Sequence, residues 1–177
     1  METADAIRKF GDVAKRYCEA IDRAQSLDRS EFLRSVYSLL PELILEGTRL
    51  PVIRYDDSES KDSEEEARHE LLEANAEMSN ETWWQLFQSL EEKLGVWDHY
   101  HFVFDPLSDS KAIDGSLADD LADIYRDLKD GLALSCAKDY PARDVAFEWR
   151  LGFESHWGRH ATNALCIIRA LSPQLNE

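Results

Sequence analysis

The sequence predicts an all-α protein, a single-domain bundle of about six helices with a long C-terminal helical hairpin and one short extended segment. Apolar residues recur at steps of three and four along most of the chain. Capping residues and helix-ending glycines bound these stretches, and only one segment alternates with a period of two. With 44% hydrophobic residues, the chain 1–177 can bury a full core as one domain.

The first third of the chain predicts two helices. The first follows a stripe of apolar residues at Ile7, Phe10, Val13, Ala14, Tyr17, Cys18 and Ile21. After a turn over residues 26–28, the same period returns at Phe32, Leu33, Val36, Leu39, Leu40, Leu43 and Ile44. We expect Pro41 to kink or break this second helix, because proline removes a backbone hydrogen bond, and we expect the helix to end near Gly47.

A charged segment and two more helices are predicted next. Residues 56–66 carry seven acids and one base without any apolar residue, which is typical of a mobile, solvated loop. A calcium site is disfavoured there, because the segment lacks the glycine turn and the ligand spacing of calcium loops. A short helix is expected over residues 65–77. Ser79 or Asn80 then caps a helix that ends at Gly95. This helix contains the adjacent residues Trp83 and Trp84, and we expect one of the two to be exposed.

The segment from Val96 to Pro106 alternates as a β-strand does. Its aromatic residues Tyr100, Phe102 and Phe104 alternate with His99, His101 and Val103. His99 and His101 would share one face, a spacing that a metal can use. Because the pattern supplies no further ligand, exposed histidines opposite a buried aromatic row are the favoured interpretation.

Two long helices should form the C-terminal hairpin. Ser116 can cap a helix over 116–139, and Pro141 can open a final helix that continues to about Leu171. Helices joined by so short a turn pack antiparallel.

A candidate polar cluster lies on the facing sides of this hairpin. Asp120, Asp123 and Asp127 form an acidic edge beside the apolar face of the penultimate helix, while His156 and His160 point inward from the final one. This set could hold a divalent metal ion through nitrogen and oxygen ligands, or a histidine against a carboxylate could act as a general base. The favoured alternative is a structural one, with both histidines hydrogen-bonded to the aspartates or to Tyr125, because buried polar groups must be paired.

Three neighbouring residues are candidates for ligand binding. Arg150 and Glu154 suit the recognition of an anion or a carboxylate, although interhelical salt bridges are the favoured interpretation. Trp149 shares the inward face with the histidines and is expected to be a core residue rather than part of a ligand cage.

The net charge of −16 restricts the classes of molecule that the protein is expected to bind. Such a field repels phosphate backbones and anionic lipids, which argues against nucleic acid and membrane surfaces, and it could attract a basic protein or serve solubility alone. Three widely spaced cysteines suggest neither a disulfide framework nor a zinc ribbon. The chain shows no signal peptide and no membrane span, so we expect a cytoplasmic protein.

The residues alone leave two candidate functions for the protein. The hydrolase and nucleotide-binding motifs G-x-S-x-G, G-x-x-x-x-G-K, H-E-x-x-H and G-x-G-x-x-G are absent. This favours a non-catalytic binding or adaptor protein that acts through protein contacts. The alternative is a metal-dependent all-α hydrolase acting on a phosphorylated or nucleotide-like small molecule through the Asp/His cluster. An open pocket at the cluster would favour the enzyme, and a sealed core would exclude it.

Several stretches of the sequence carry a resemblance to a known family. They are GSLADDLADIYRDLKDGLAL and FEWRLGFESHWGRHATNAL, with FVFDP and EFLRSVYSLLPELIL before them. Together they resemble a bacterial family of unknown function, catalogued as domain of unknown function 5063, over most of the chain. That family is uncharacterised, so the resemblance implies a small bacterial helical protein and no particular activity.

Overall fold

Six α-helices and one two-stranded sheet form the described part of the protein. The structure is a computed structural model that describes residues 2–53, 78–137 and 141–176. The helices are α1 (Glu2–Asp22), α2 (Arg29–Arg49), α3 (Asn80–Leu94), α4 (Leu117–Cys136), α5 (Ala142–Ser155) and α6 (Trp157–Leu171), and the strands are β1 (His99–Phe102) and β2 (Ile113–Ser116). The mostly α-helical bundle predicted from the sequence is confirmed. The acidic loop expected over 56–66 and the helix expected over 65–77 lie outside the described residues.

Helix α4 is the centre of the bundle, because it packs against α1, α3, α5 and α6. Ser116 caps its first turn by accepting a hydrogen bond from the Asp119 amide, as predicted. Its core-facing side chains are fully buried at Leu117, Leu121, Ile124 and Leu128. Burial of each such side chain contributes roughly 1.5–3 kcal/mol. The side chains beside this apolar face therefore lie next to the packed interface between α4 and the C-terminal helices.

Helices α1 and α2 pack against each other and complete one side of the core. Asp28 caps α2 in a reciprocal capping box with Glu31. The predicted break at Pro41 is absent, and the helix continues to Arg49. The exposed proline is tolerated because Leu40 and Leu43 on either side of it are fully buried and hold the helix in place.

The extended segment pairs with a partner that the sequence did not predict. Strand β1 forms an antiparallel ladder with β2, in which Tyr100 lies opposite Gly115. A Cβ atom on Gly115 would lie 2.6 Å from the Tyr100 ring, so only glycine lets this ring lie flat across the second strand. The ladder thereby directs the Tyr100 side chain toward the start of α4.

The prediction of a single final helix is wrong, because the structure has two helices there, which are separated at His156. This residue has φ −141° and ψ −87°, outside the helical region, and it separates α5 from α6. Immediately after it, Gly158 lies so close to α5 that a Cβ atom there would be 2.2 Å from the Phe153 carbonyl oxygen. The apolar spacing continues across the break, so periodicity alone could not reveal it.

Two further observations concern the cysteines and the membrane. Cys18 is buried, Cys136 and Cys166 are exposed, and none of the three forms a disulfide bond. In the described ranges, no helix combines the length and the apolar composition that a transmembrane segment needs.

Candidate functional site

The five residues of the predicted Asp/His cluster are brought together between α4 and the junction of α5 and α6. The His156 Nδ1 atom lies 2.7 Å from Asp127 Oδ2, and the His160 Nδ1 atom lies 2.7 Å from Asp120 Oδ1. Each histidine is thus held by its own aspartate through the same ring nitrogen. Tyr125, the other partner considered, instead donates a hydrogen bond to Asp22.

The remaining ring nitrogens of the two histidines face the third aspartate. His156 Nε2 and His160 Nε2 each lie 3.6 Å from the same oxygen, Oδ2 of Asp123. That separation is too long for a hydrogen bond. The three atoms lie within 4.8 Å of one another. In each imidazole, the Nδ1 atom therefore contacts its own aspartate. The two Nε2 atoms both face Oδ2 of Asp123.

This convergence has the dimensions of a metal site. Ligand atoms bound at about 2.0–2.1 Å from a tetrahedral zinc ion lie roughly 3.4 Å apart, close to the 3.6 Å measured here. Metal-binding histidines usually donate their second ring N–H to a carboxylate, which fixes the tautomer and the ring orientation. Asp120 and Asp127 make that contact for His160 and His156, so the donor set fits a divalent transition metal.

The electrostatics of the cluster favour a cation at this point. Burial raises the pKa of Asp120 and of Asp119, and the Asp123 carboxylate raises that of Asp119 further. The hydrogen bond that the Asp127 carboxylate accepts from the imidazole raises the pKa of His156 above its ordinary value. Carboxylates crowded on adjoining turns repel one another unless a cation compensates them.

The cluster opens to solvent at one edge. The His156 side chain is 35% exposed, whereas those of His160 and Asp123 are each 11% exposed. A cleft of about 340 Å³ between α4 and α5 reaches His156 and Asp127, and it is lined also by Asp130, Glu148 and Trp157. His156 is therefore accessible from this cleft, whereas Asp123 and His160 are largely buried and are not among the residues that line it.

Sequence reasoning missed three residues that belong to this site. Arg126 donates a 2.8 Å hydrogen bond to Asp123 Oδ1 and lies over the Trp83 ring. Asp119 lies one turn before Asp123, and that spacing could have identified it. Tyr100 comes from β1, and nothing in the sequence links it to the cluster.

Tyr100 supports the inner histidine through Asp120. Its hydroxyl donates a 2.6 Å hydrogen bond to Asp120 Oδ2, while the other oxygen of Asp120 contacts His160. We expect Tyr100→Phe to reduce the free energy of unfolding by about 1.5–3 kcal/mol, as is usual for a hydrogen bond to a charged group. Urea unfolding measures this, and unchanged stability would show that the Tyr100–Asp120 contact contributes nothing.

The other predicted binding residues lie outside the cluster and have structural roles. Trp149 is 2% exposed, and its ring centroid lies 4.8 Å from that of Phe10. Arg150 pairs with Glu154 within α5 rather than between helices, because the two are one turn apart. The guanidinium of Arg150 also donates to the Thr48 and Leu50 carbonyls at the end of α2. Arg150 therefore ties α5 to α2.

The exposed residues predicted from the aromatic segments are confirmed, but the aromatic row opposite the histidines is only partly buried, because Phe104 is 53% exposed. Side chains of His99 and His101 are 77% and 75% exposed on the face of β1 opposite the buried Tyr100. Of the paired tryptophans, Trp84 is the exposed member and Trp83 packs against the core.

Comparisons with known proteins identify a family and a shared fold. No curated protein matches the chain. A crystal structure of protein BF1032 from Bacteroides fragilis is similar, with a TM-score of 0.72 and 23% identity over 94% of this chain and 91% of that one. At this identity the likeness shows the fold alone. The model of a domain of unknown function, DUF5063, matches residues 2–174, so the chain belongs to the DUF5063 family.

Proposed function

We propose that this protein is a metal-dependent hydrolase whose metal ion is held by Asp123, His156 and His160. The observation that carries the proposal is the convergence of two histidine Nε2 atoms on one oxygen of Asp123, at 3.6 Å each. Two imidazoles and one carboxylate suit zinc, iron and manganese. Three protein ligands, with a further position open, are the arrangement of catalytic rather than structural zinc sites.

The residues around the ligands have roles in this proposal. A divalent metal ion held by these three residues would lower the pKa of a bound water molecule and so would supply a nucleophile near neutral pH. Asp120 and Asp127 fix the imidazole orientations. Asp119 is half-buried next to Asp123, and burial raises the pKa of its carboxyl, the direction that suits a general base.

A phosphorylated small molecule is the proposed substrate. The Arg126 guanidinium contacts the proposed ligand Asp123, and the Arg126 side chain is 29% exposed. A guanidinium next to a metal ion can bind two oxygens of a phosphoryl group. Because carboxylates line the neighbouring cleft, an anionic substrate would be drawn to the metal and Arg126 rather than to the cleft itself.

Metal binding by matched variants tests the proposal first. Chelator-treated protein is titrated calorimetrically with Zn²⁺, Mn²⁺ and Mg²⁺. We expect Asp123→Asn and His160→Gln to weaken Zn²⁺ binding at this site at least a hundredfold, because each removes one of three ligands. His101→Ala is the control, since its exposed side chain lies outside the cluster. If Asp123→Asn and the control bind Zn²⁺ equally well, the proposed site is wrong.

Activity is tested on the metal-loaded protein with phosphate monoesters, phosphodiesters and nucleotides. We expect hydrolysis of at least one class, lost in Asp123→Asn, and an increased KM in Arg126→Gln. Metal binding without hydrolysis of any phosphorylated substrate would retain the metal site and overturn the substrate class.

The affinity for Zn²⁺ should depend on pH through His156. A metal binds the neutral imidazole, so protons compete with it below the pKa of the histidine. Asp127 raises this pKa above the ordinary 6.5, so the competition begins at a higher pH than for an isolated histidine. We expect Asp127→Asn to retain a larger fraction of its pH 8 affinity at pH 6 than the wild type does. Equal ratios in both proteins would contradict this assignment.

An adaptor function is the second candidate, and surface features favour it. The net charge is −16, and Trp84 is 48% exposed beside Phe87, whose ring centroid is 5.3 Å away. A basic protein partner would be attracted by the charge and could bury this aromatic pair. Failure of the wild type to bind any of the three metals would favour this function over the hydrolase.

A further inference from the structure

A second group of metal-binding side chains lies at the start of β1, where α3 ends. Glu91 comes from the last turn of α3, and Asp98 and His99 follow the short 3₁₀-helix Gly95–Trp97. One ligand atom of each lies within 4.8 Å of the others. None of the three belongs to the Asp/His cluster described above.

The Asp98 carboxylate is fully buried and only half satisfied. Its Oδ1 atom accepts hydrogen bonds from the Ala118 amide at 2.7 Å and from the Ser116 hydroxyl at 3.0 Å. Its Oδ2 atom is buried and has no hydrogen-bond partner in the described part of the protein. A buried carboxylate oxygen without a donor is costly, and such groups are normally paired or bind a metal.

The unsatisfied oxygen lies close to the His99 imidazole. His99 Nδ1 lies 3.4 Å from Asp98 Oδ2, but the geometry makes no hydrogen bond. The Oδ1 contacts with the first turn of α4 fix the carboxylate, so Oδ2 is held in a defined direction. Glu91 and His99 are exposed and can reorient toward it. The group therefore combines one fixed, buried ligand with two adjustable ligands at the surface.

The bases near this group are engaged elsewhere. Lys93 donates to the Leu27 carbonyl, and Arg29 donates to the Lys93 carbonyl and lies over the Trp97 ring. In the described ranges, no lysine or arginine forms an ion pair with Glu91 or Asp98. The carboxyl end of α3 adds the negative pole of its helix dipole. Among the described lysines and arginines, none therefore compensates the negative charge of the Glu91 and Asp98 carboxylates.

We propose that Glu91, Asp98 and His99 form a second divalent-metal site, which binds an ion of the zinc or manganese class between α3 and β1. Two carboxylate oxygens and one imidazole nitrogen suit these ions, whereas Ca²⁺ and Mg²⁺ favour oxygen ligands alone. The ion would join the end of α3 to the strand that carries Tyr100, and so would stabilise the side of the bundle next to the first site.

Calorimetric titration of Zn²⁺ into the chelator-treated full chain tests this second site, with a matched control for each variant. His99→Ala is compared with His101→Ala, because both histidines are exposed on the same face of β1. Glu91→Gln is compared with Glu92→Gln, two exposed neighbours on α3. All four replaced side chains lie at the surface, so the variants should fold, and thermal melts in chelator verify this.

We expect the wild type to bind two Zn²⁺ ions, and His99→Ala and Glu91→Gln to weaken one of the two events at least tenfold. Both controls should retain both events, and Asp123→Asn should lose only the other one. If His99→Ala and His101→Ala give the same isotherm, the second site is refuted. A single event that only Asp123→Asn removes would refute it while leaving the proposed function intact.

Discussion

Trp149→Ala should reduce the free energy of unfolding by about 3–5 kcal/mol, the range for truncating a buried aromatic side chain. The Trp149 indole is 2% exposed and packs 4.8 Å from Phe10. Its ring also lies directly over Gly131, where a Cβ atom would be 1.9 Å from Nε1. The indole therefore fills the space between α1, α4 and α5, and its removal leaves a cavity that glycine cannot fill.

Thermal and urea unfolding measure this effect, and the midpoint of thermal unfolding should fall by on the order of 10 °C. Trp84→Ala is the matched control, because Trp84 is 48% exposed, and we expect it to cost less than about 1 kcal/mol. Similar losses in both variants would contradict the core role of Trp149. A small loss for Trp149→Ala would instead reopen its interpretation as a ligand-binding residue.

Gly158→Ala should disrupt the junction between α5 and α6 and weaken metal binding with it. The added Cβ atom would lie 2.2 Å from the Phe153 carbonyl oxygen and 2.8 Å from the Phe153 ring. A backbone atom cannot move aside as the end of a side chain can, so the two helices must separate. We expect a loss of about 3 kcal/mol, at the upper end of the range for overpacking.

The consequence for the site follows from its position in the chain. His156 is the residue between the two helices and His160 lies in the first turn of α6, so displacement of α6 moves the two imidazoles relative to Asp123. We expect Zn²⁺ affinity at the first site to fall at least tenfold, measured by calorimetry at a temperature where the variant is folded.

Gly11→Ala is the control for this variant. Gly11 lies within α1, and a Cβ atom there would meet Trp149 Cη2 at 3.4 Å, an ordinary contact. Alanine is favoured over glycine inside a helix by up to about 1 kcal/mol, so this variant should be as stable as the wild type or slightly more stable. Equal stability of Gly158→Ala and Gly11→Ala would show that the junction tolerates a side chain.

Helix positions in this protein follow from local patterns. The apolar stripe from Ile7 to Ile21 predicted α1, and Ser116 predicted the start of α4, because burial periodicity and capping are properties of neighbouring residues. Pro41 shows the limit of such patterns. Its local preference to end a helix is overridden by the burial of Leu40 and Leu43, which depends on α1.

Strand β2 and the break at His156 were not predictable for different reasons. Residues Ile113–Ser116 include aspartate, glycine and serine, which have low strand preference, and they are extended because β1 pairs with them. The break depends on the close approach of Gly158 to the Phe153 carbonyl. Neither feature leaves a periodic signal.

By itself, the sequence determined the acidic character of the protein, its helical class and the five residues of the Asp/His cluster, because composition and helical spacing are written in neighbouring positions. Only the tertiary structure decided which nitrogen of each histidine is bound by an aspartate and which converges on Asp123. It alone brought Tyr100 to Asp120 and left one oxygen of Asp98 without a hydrogen bond. These features depend on contacts between residues far apart in the chain, which the spacing of residues along a single helix cannot specify.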